Sequence, residues 1–482
     1  MLALVHLPFP FGADQSFATV VGDEMRHGRV LYQGVWDVRQ PGIYAFFYVG
    51  GSVFGATEVG VHLLETLYLL AFAVVLQRTL RARVENAWVA AVAPLFVIGA
   101  YWAAAAAPEL TQIEVLVAFP LYISLWGVTA TDGEPSARRL FLTGVAGAAV
   151  VCFKLFYLPI FAVVWALALV RRANVSGWRA AARELRWLFA GFAIPVAAVV
   201  VYFAAFGSLY ELFWTTFVFP PRQRSLDLRN WSRLHAGLRF LFQNFVWTVP
   251  LAAIGVFARR PRRDPFVAGL LVWLVLGAGL LALQTWYPYQ FQLLITPLGL
   301  LAIFGLDRLA TSFRTTSRAP LVVVLGLSAL LAFVPARGLA RKTVSFVQWD
   351  AALTAEGRLE YHAKYAPWYP ITAKSTAFLR RTDALPGPIH VFGDYELHRM
   401  ARRRMAIAIN GQTPEQLDDR LWRKTRQELA AAQPPYVFVG EIGDRIMRER
   451  SPETRDFLAR GYCRLRAVDD GVWLASRRSG QC

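Results

Sequence analysis

The densest set of groups able to do chemistry lies between Gly12 and Gly55, in GADQSFATVVGDEMRHGRVLYQGVWDVRQPGIYAFFYVGGSVFG. Asp14, Asp23, Glu24 and Asp37 supply carboxylates there, Arg39 a guanidinium, and Tyr32 and Trp36 aromatic faces. A carboxylate can take a proton from an attacking hydroxyl or amine, and a guanidinium can stabilise an anion as it departs. A polar, acid-bearing stretch of this length, placed directly before a series of apolar segments, reads as the roof of an active site at a membrane surface.

The elements that must hold these groups follow from local pattern. Ala13 to His27 is expected to form a helix that Gly28 ends, because glycine tolerates the left-handed conformation of a helix terminus. Asp14, Phe17, Val21 and Met25 then share one stripe at three-to-four spacing, which puts a carboxylate at the end of an apolar face. Asp23 and Glu24 point elsewhere. Val30 to Pro41 is broken by Gly34 and Pro41 and carries Tyr32, Trp36, Asp37 and Arg39, so it reads as a structured loop. Pro41 opens a second short helix through Phe47, as proline does at a first helical turn.

The rest of the chain says what this roof covers. Of 482 residues 56% are hydrophobic, with 16 Trp and 34 Phe, and the mean hydropathy is +0.38; a soluble protein is about 45–50% apolar. A multi-pass membrane protein is the default. Windows of about 19 residues give spans near Thr57 to Leu76, Ala87 to Ala107, Gln112 to Ala130, Leu140 to Phe153, Lys154 to Val170, Leu188 to Phe206, Leu241 to Ala258, Val267 to Leu283, Phe291 to Leu306 and Leu321 to Pro335. Several are shorter than the ~20 residues that cross a ~30 Å hydrocarbon core, so their limits are soft.

The formal charge of +18 would fit a nucleic-acid partner, but its placement argues for topology instead. Arg78, Arg81 and Arg83 follow the first span; Arg138 and Arg139 precede the fourth; Arg171, Arg172, Arg179, Arg183 and Arg186 follow the fifth. Arg259, Arg260, Arg262 and Arg263 follow the seventh, and Arg308, Arg314 and Arg318 the ninth. Pro108 to Thr111 and Gln284 to Gln290 carry no Lys or Arg. By the positive-inside rule the arginine connections are cytoplasmic, which puts Gly12 to Gly55 and the C-terminal third outside. An outside start needs an export signal, yet Met1 to Phe11 is too short to span and lacks a basic lead. A first helix upstream of this start is expected; the alternative is a short N-terminus pulled across by the first arginine-flanked span.

The order D-Q, G-x-x-L-Y, W-D-x-x-x-P-G-x-Y and F-G before the first full span resembles the first extracytoplasmic loop of the GT-C superfamily. These are polytopic glycosyltransferases using a polyprenyl-phosphate sugar, similar to the protein O-mannosyltransferases and the bacterial aminoarabinose transferases of lipid A. The resemblance implies that the acid opening the loop, Asp14, is catalytic, as base or by orienting the acceptor, and that a cation, Arg39 or Lys154, meets the donor phosphate. Asp37, beside Trp36, is the second acidic candidate, for sugar hydroxyls or a metal, and Tyr32 and Trp36 are candidates for substrate contact. A divalent ion is compatible, since some relatives use one, but no set of oxygen ligands is visible.

Further polar groups carry two readings each. Lys154 sits at the join of the fourth and fifth spans (CFKLF); an ammonium at that depth costs roughly 2.5–3.5 kcal/mol and faces a cavity or partner, or it snorkels to the interface. Gln112 and Glu114 open the third span, and this Q-x-E resembles the superfamily and implies substrate contact; a structural role is the alternative. QTWYPYQFQ, Gln284 to Gln292, resembles the superfamily's late external motif, in which Tyr287 and Tyr289 would contact the donor; interfacial belt residues are the other reading. His62 and Glu65 are expected to pair on one helix face. In the external connection Gly207 to Leu238, Arg222, Arg224, Arg229 and Arg233 meet lipid phosphates or simply solvent.

Beyond Pro335 the hydropathy falls. PIHVFGD and PYVFVGE read as short buried strands, Pro414 to Ala432 as an amphipathic helix between them, and GYCRLRAVDDGVWLASR as a closing hairpin with Asp-Gly in its turn. Asp394 and Glu396 read as a solvated loop. Cys463 and Cys482 are permitted a disulfide outside the cell's reducing interior. There is no zinc spacing, phosphate-binding glycine loop or nucleophile elbow. The expectation is a polytopic α-helical membrane protein of about ten to eleven transmembrane helices with a C-terminal extracytoplasmic α/β domain. It divides into a catalytic loop at 1–56, spans at 57–336 and a soluble domain at 337–482. The expected activity, in the inner membrane, is transfer of a sugar from a polyprenyl-phosphate donor to an extracytoplasmic lipid, glycan or protein. A multi-pass transporter or a non-catalytic envelope-assembly protein is the alternative.

Overall fold

Each apolar segment read from the sequence is helical in the computed structural model, which describes residues 2–129, 135–224, 230–262, 264–312, 319–351, 354–409 and 418–482. In a bilayer no water satisfies backbone N–H and C=O groups, so continuous helix is what such segments must form. Among the described residues seven helical stretches are long and apolar enough to cross a membrane: Glu58–Arg81, Ala87–Ala104, Ala137–Ser176, Trp178–Ala205, Trp231–Arg259, Pro265–Ala282 and Pro288–Ser312. Ile113–Thr129 is shorter, and Ala319–Ala351 is a helix of 33 residues. Arg229, Arg263, Arg314, Arg318 and the Pro414 start of the amphipathic helix lie outside the described residues.

The 40-residue stretch Ala137–Ser176 is two helices, Ala137–Lys154 and Leu158–Ser176, joined by a 3-10 turn at Leu155–Tyr157. A Cβ on Gly147 would meet Trp165 and Phe161. The helices therefore run back along each other, and the chain reverses directly after Lys154.

The chain divides into two compact units, one of Met1–Leu7, His62–Val201 and Leu228–Gln348, the other of Pro8–Val61, Tyr202–Asp227 and Trp349–Cys482. The first is the helical, apolar unit. Its arginine-bearing connections are tied by one buried carboxylate, Asp307, which accepts the backbone N–H of Glu85 (3.0 Å) and of Asn86 (3.0 Å), the Asn86 side-chain amide (3.0 Å) and Arg259 Nη2 (3.3 Å). A buried carboxylate needs this many donors to offset its lost hydration.

The second unit gathers the Gly12–Gly55 stretch, the 202–227 segment and the C-terminal region. Helix α1, Ala13–Arg26, stops where Gly28 takes φ 88°. Helix α2 opens at Pro41 and runs to Val53, past the expected end at Phe47. Gly50 and Gly51 are buried within it, so packing overrides their weak helix propensity. The two helices approach closely: a Cβ on Gly22 would lie 3.0 Å from the Tyr48 backbone nitrogen.

The C-terminal sheet has β1 (Ile389–Phe392), β2 (Tyr436–Gly440), β3 (Tyr462–Val468) and β4 (Gly471–Ser476) in the order β1-β2-β4-β3. β1 and β2 are parallel, with Ile389 opposite Tyr436; the helix Asp419–Ala432 is part of their crossover, capped by Asp418 accepting the Leu421 N–H at 2.9 Å. β3 and β4 form the expected antiparallel hairpin. Trp473, Phe438, Val391 and Leu397 fill the core, and a Cys463–Cys482 disulfide staples the end of the chain to β3.

Candidate functional site

Two polar clusters stand out, one in each unit. In the second unit α1 presents Asp14 in its first turn, and the loop that follows presents Arg39. Arg39 Nη2 lies 2.6 Å from Asp14 Oδ1, and Nη1 lies 2.8 Å from Asp37 Oδ2. One guanidinium thus braces two carboxylates, and the two differ in access. The Asp14 side chain is 30% exposed and that of Asp37 only 3%. Asp37 also accepts the Tyr44 hydroxyl from α2. Burial, and then the Asp37 charge, push the Tyr44 phenol well above its usual range, so it remains a neutral donor.

The loop is held from beneath. Tyr32, with φ 67°, is wholly buried, donates its hydroxyl to the Arg39 carbonyl at 2.6 Å and stacks on Phe203. Trp36, also wholly buried, donates its indole N–H to Thr215 Oγ1 at 3.2 Å and packs against Trp214 and Phe219. Both candidates for substrate contact therefore spend their polar atoms on the fold of the loop. Arg222, from the same external segment, pairs with Asp418 at 3.3 Å.

Another acid of the stretch is structural. Glu24 is buried and accepts from Arg404 (2.5 Å), Arg29 (3.1 Å) and the Met405 N–H (2.9 Å). Burial alone would raise its pKa, but the Arg404 hydrogen bond, the Met405 N–H and the Arg29 charge hold it below the usual carboxylate range. The expected solvated loop at 394–396 is not one. Glu396 is fully buried, accepts Ser16 Oγ at 2.6 Å and pairs with Arg399, which also pairs with Glu58. Asp394 is half-buried, and desolvation pushes its carboxyl up to about 6.

The second cluster lies in the helical unit, at the reversal after Lys154. Lys154 Nζ is 2.7 Å from Glu114 Oε1, 2.7 Å from Gln284 Oε1 and 3.2 Å from the Tyr157 hydroxyl. Tyr157 in turn donates to Glu114 Oε1 at 2.8 Å. The ammonium thus has protein partners, Glu114 and, from the connection after the helix Pro265–Ala282, Gln284. Gln112 turns its amide to the Pro108 carbonyl at 2.8 Å, closing the turn that starts this helix. Tyr287 and Tyr289 stack in parallel, centroids 5.5 Å apart, and the Arg233 guanidinium lies 4.4 Å from the Tyr287 ring centroid.

The expected His62–Glu65 pair does not form. Glu65 instead accepts the Tyr101 hydroxyl (2.5 Å), the Thr111 N–H (3.0 Å) and the Thr111 hydroxyl (2.9 Å), while His62 Nδ1 faces the Leu7 carbonyl (3.2 Å). Neutral donors outcompete an imidazole here because they reach the carboxylate from elsewhere in the chain, Tyr101 from another helix and Thr111 from a turn, at ordinary hydrogen-bond lengths. Sequence reasoning also passed over Tyr44, Tyr157 and Gln284. Tyr157 stands three residues from Lys154, a helical-turn spacing that could have flagged it; Tyr44 and Gln284 lie inside quoted motifs with no role attached.

Asp14 and Asp37 both pair with Arg39, and among the described residues no group of three or more His, Cys, Asp or Glu is placed to hold a metal ion.

No family model matches the sequence, and no curated protein matches it significantly. Two solved structures match nearly end to end. ArnT from Cupriavidus metallidurans in the apo state aligns with a TM-score of 0.63 at 15% identity, over 99% of this chain and 96% of that one. The same protein bound to undecaprenyl phosphate aligns with a TM-score of 0.60 at 16% identity, over 98% and 95%. ArnT is a lipid A aminoarabinose transferase with the GT-C fold. At such identity the likeness is one of fold: this chain is a polytopic α-helical membrane protein whose fold is like that of ArnT.

Proposed function

We propose that the protein is a membrane glycosyltransferase of the GT-C type, moving a sugar from a polyprenyl-phosphate donor to an extracytoplasmic acceptor. The observation that carries this is the partly exposed Asp14, fixed by Arg39 at the start of the loop, in a chain whose fold matches ArnT almost from end to end. The ArnT structure with undecaprenyl phosphate supports a donor of that class.

In this reading Asp14 accepts the proton of the attacking hydroxyl or amine, or orients that group, while the sugar carbon inverts in one displacement and polyprenyl phosphate departs. Arg39 fixes the direction of the carboxylate, and the buried Asp37–Tyr44 contact fixes Arg39. Tyr32 and Trp36 position the loop. In the helical unit Lys154 is the cation for the donor phosphate, with Tyr157 beside it. Gln112 and Glu114 shape its surroundings, and the stacked Tyr287 and Tyr289 offer the donor a flat face. The arginine connections, read by the positive-inside rule, support an extracytoplasmic position for the second unit, and the Cys463–Cys482 disulfide supports an oxidising compartment for it.

The test is transfer from a radiolabelled polyprenyl-phosphate sugar pool in membranes containing the wild type or Asp14→Asn at equal abundance. Loss of labelling only in the variant supports the assignment. Equal labelling removes Asp14 from the mechanism, and labelling in neither protein favours a transporter or an assembly protein.

A further inference from the structure

The Lys154 cluster contains more donors than its resident acceptor uses. Lys154 Nζ and the Tyr157 hydroxyl both converge on a single oxygen, Glu114 Oε1. The other oxygen, Oε2, is buried without a hydrogen-bond partner among the described residues, and so is the amide nitrogen of Gln284, whose oxygen already takes Lys154. A pair serving only to hold helices together would be saturated, because an unfilled polar atom in a buried setting is costly. Here Glu114 is 1% exposed at its side chain, while Lys154 keeps 20%, so the cation side of the pair is open.

An ammonium, a phenol and an amide N–H around one point form a cradle for an anion with several oxygens. A carboxylate held through one oxygen fills only part of it. We propose that Glu114 is a resident stand-in for a phosphate group: it occupies the Lys154 cradle when the donor is absent, is displaced by the donor phosphate, and returns to expel the polyprenyl phosphate left after transfer. No bond is made or broken in this exchange; one anion replaces another on Lys154, Tyr157 and Gln284. The inference rests on the reading above that Lys154 meets the donor phosphate, and it adds that the same cation is self-blocked by a neighbouring acid.

The experiment is direct binding of undecaprenyl phosphate to the full chain in nanodiscs, with wild type, Glu114→Gln and Lys154→Gln, and inorganic phosphate as a second probe. Removing a competing charge of one ion pair is expected to tighten undecaprenyl phosphate binding about tenfold in Glu114→Gln, and Lys154→Gln to weaken it by as much or more. Opposite signs at two ends of one ion pair are not what a structural bridge gives, since breaking a bridge from either end loosens the same helices. Unchanged or weaker binding in a folded Glu114→Gln overturns the stand-in role while leaving the donor reading in place. Absence of binding in all three proteins overturns the donor reading and the inference with it. An equal response to inorganic phosphate overturns the lipid donor as the occupant. Should Glu114→Gln not accumulate, Gln284→Leu takes its place. It removes the donor that Glu114 leaves idle and is expected to weaken binding severalfold; an unchanged affinity there sinks the proposal.

Discussion

The two polar clusters have opposite surpluses. Around Arg39 there are two carboxylates for one cation, with Asp37 buried and Asp14 reachable. Around Lys154 there is one carboxylate for one cation, and a donor is left idle. A surplus of acid leaves one carboxylate free to receive a proton; a surplus of donors leaves room for an anion. In the proposed reading the two halves of a glycosyl transfer, activation of the nucleophile and neutralisation of the leaving group, fall to chemically distinct places in the chain.

The sharpest way to break this comparison is Asp14→Asn, expected to lower sugar transfer on the order of 10²–10⁴-fold as loss of a general base does, at unchanged abundance in membranes. If Asp37→Asn were the more damaging change in the same labelling assay, the reachable acid would not be the working one. Next comes Lys154→Gln, expected to reduce transfer about 10²-fold, as removal of a charge-stabilising donor does; titrating the donor should place much of the loss in KM. Arg39→Lys should have a smaller effect, about tenfold, because an ammonium cannot brace two carboxylates through separate N–H groups as a guanidinium does; a kcat loss with donor KM unchanged would confirm an orienting role. Glu24→Gln marks the structural end of the scale. It should cost about 1–3 kcal/mol of stability, read as a lower midpoint in thermal unfolding, with the activity of the folded fraction retained.

The smallest effect concerns pH. Burial pushes His390 down to about 3 and His398 down to about 4. A histidine whose folded pKa is depressed binds fewer protons folded than unfolded, so its neutral form favours folding above about 6.5, and that advantage is lost as pH falls towards the folded value. Asp394, raised to about 6 by burial, works the other way, favouring the folded state as pH falls from about 6 towards its unfolded value near 4. The two histidines are shifted further than Asp394, so the net contribution of these three groups to thermal stability should fall on acidification from pH 6.5 to 4. His398→Gln should flatten that slope, and transfer rates normalised to folded protein should not follow it.

Much of the architecture was legible because a bilayer imposes a simple code. Apolar length and arginine placement are local properties, and each of the ten apolar segments read from the sequence falls on helix among the described residues. The strands β1 and β2 were equally plain as short apolar runs, and Asp469–Asp470–Gly471 announced its hairpin. The site was legible only in its first partner. Asp14 and Arg39 sit 25 residues apart, within one recognisable motif. Glu24 and Arg404 are separated by 380 residues, and Ser16 and Glu396 likewise. Nothing in either local sequence signals such partners, which is why Glu396 read as solvated and Glu24 only as a helix carboxylate pointing away from the Asp14 stripe. His62 and Glu65 failed for the related reason that helical spacing lists only the neighbours on one helix, and Tyr101 and Thr111 came from elsewhere.

Asp307 bears on how the protein is made. The backbone groups of Asn86 wait for a carboxylate 221 residues further along the chain. At about 5–20 residues per second of synthesis, that is an interval of roughly 10–45 s during which the early connections have already emerged and their buried partner has not been translated. Insertion intermediates must therefore carry the connection at 83–86 exposed or shielded by the insertion machinery, and the helical unit can close only when the helix Ile295–Ser312 arrives.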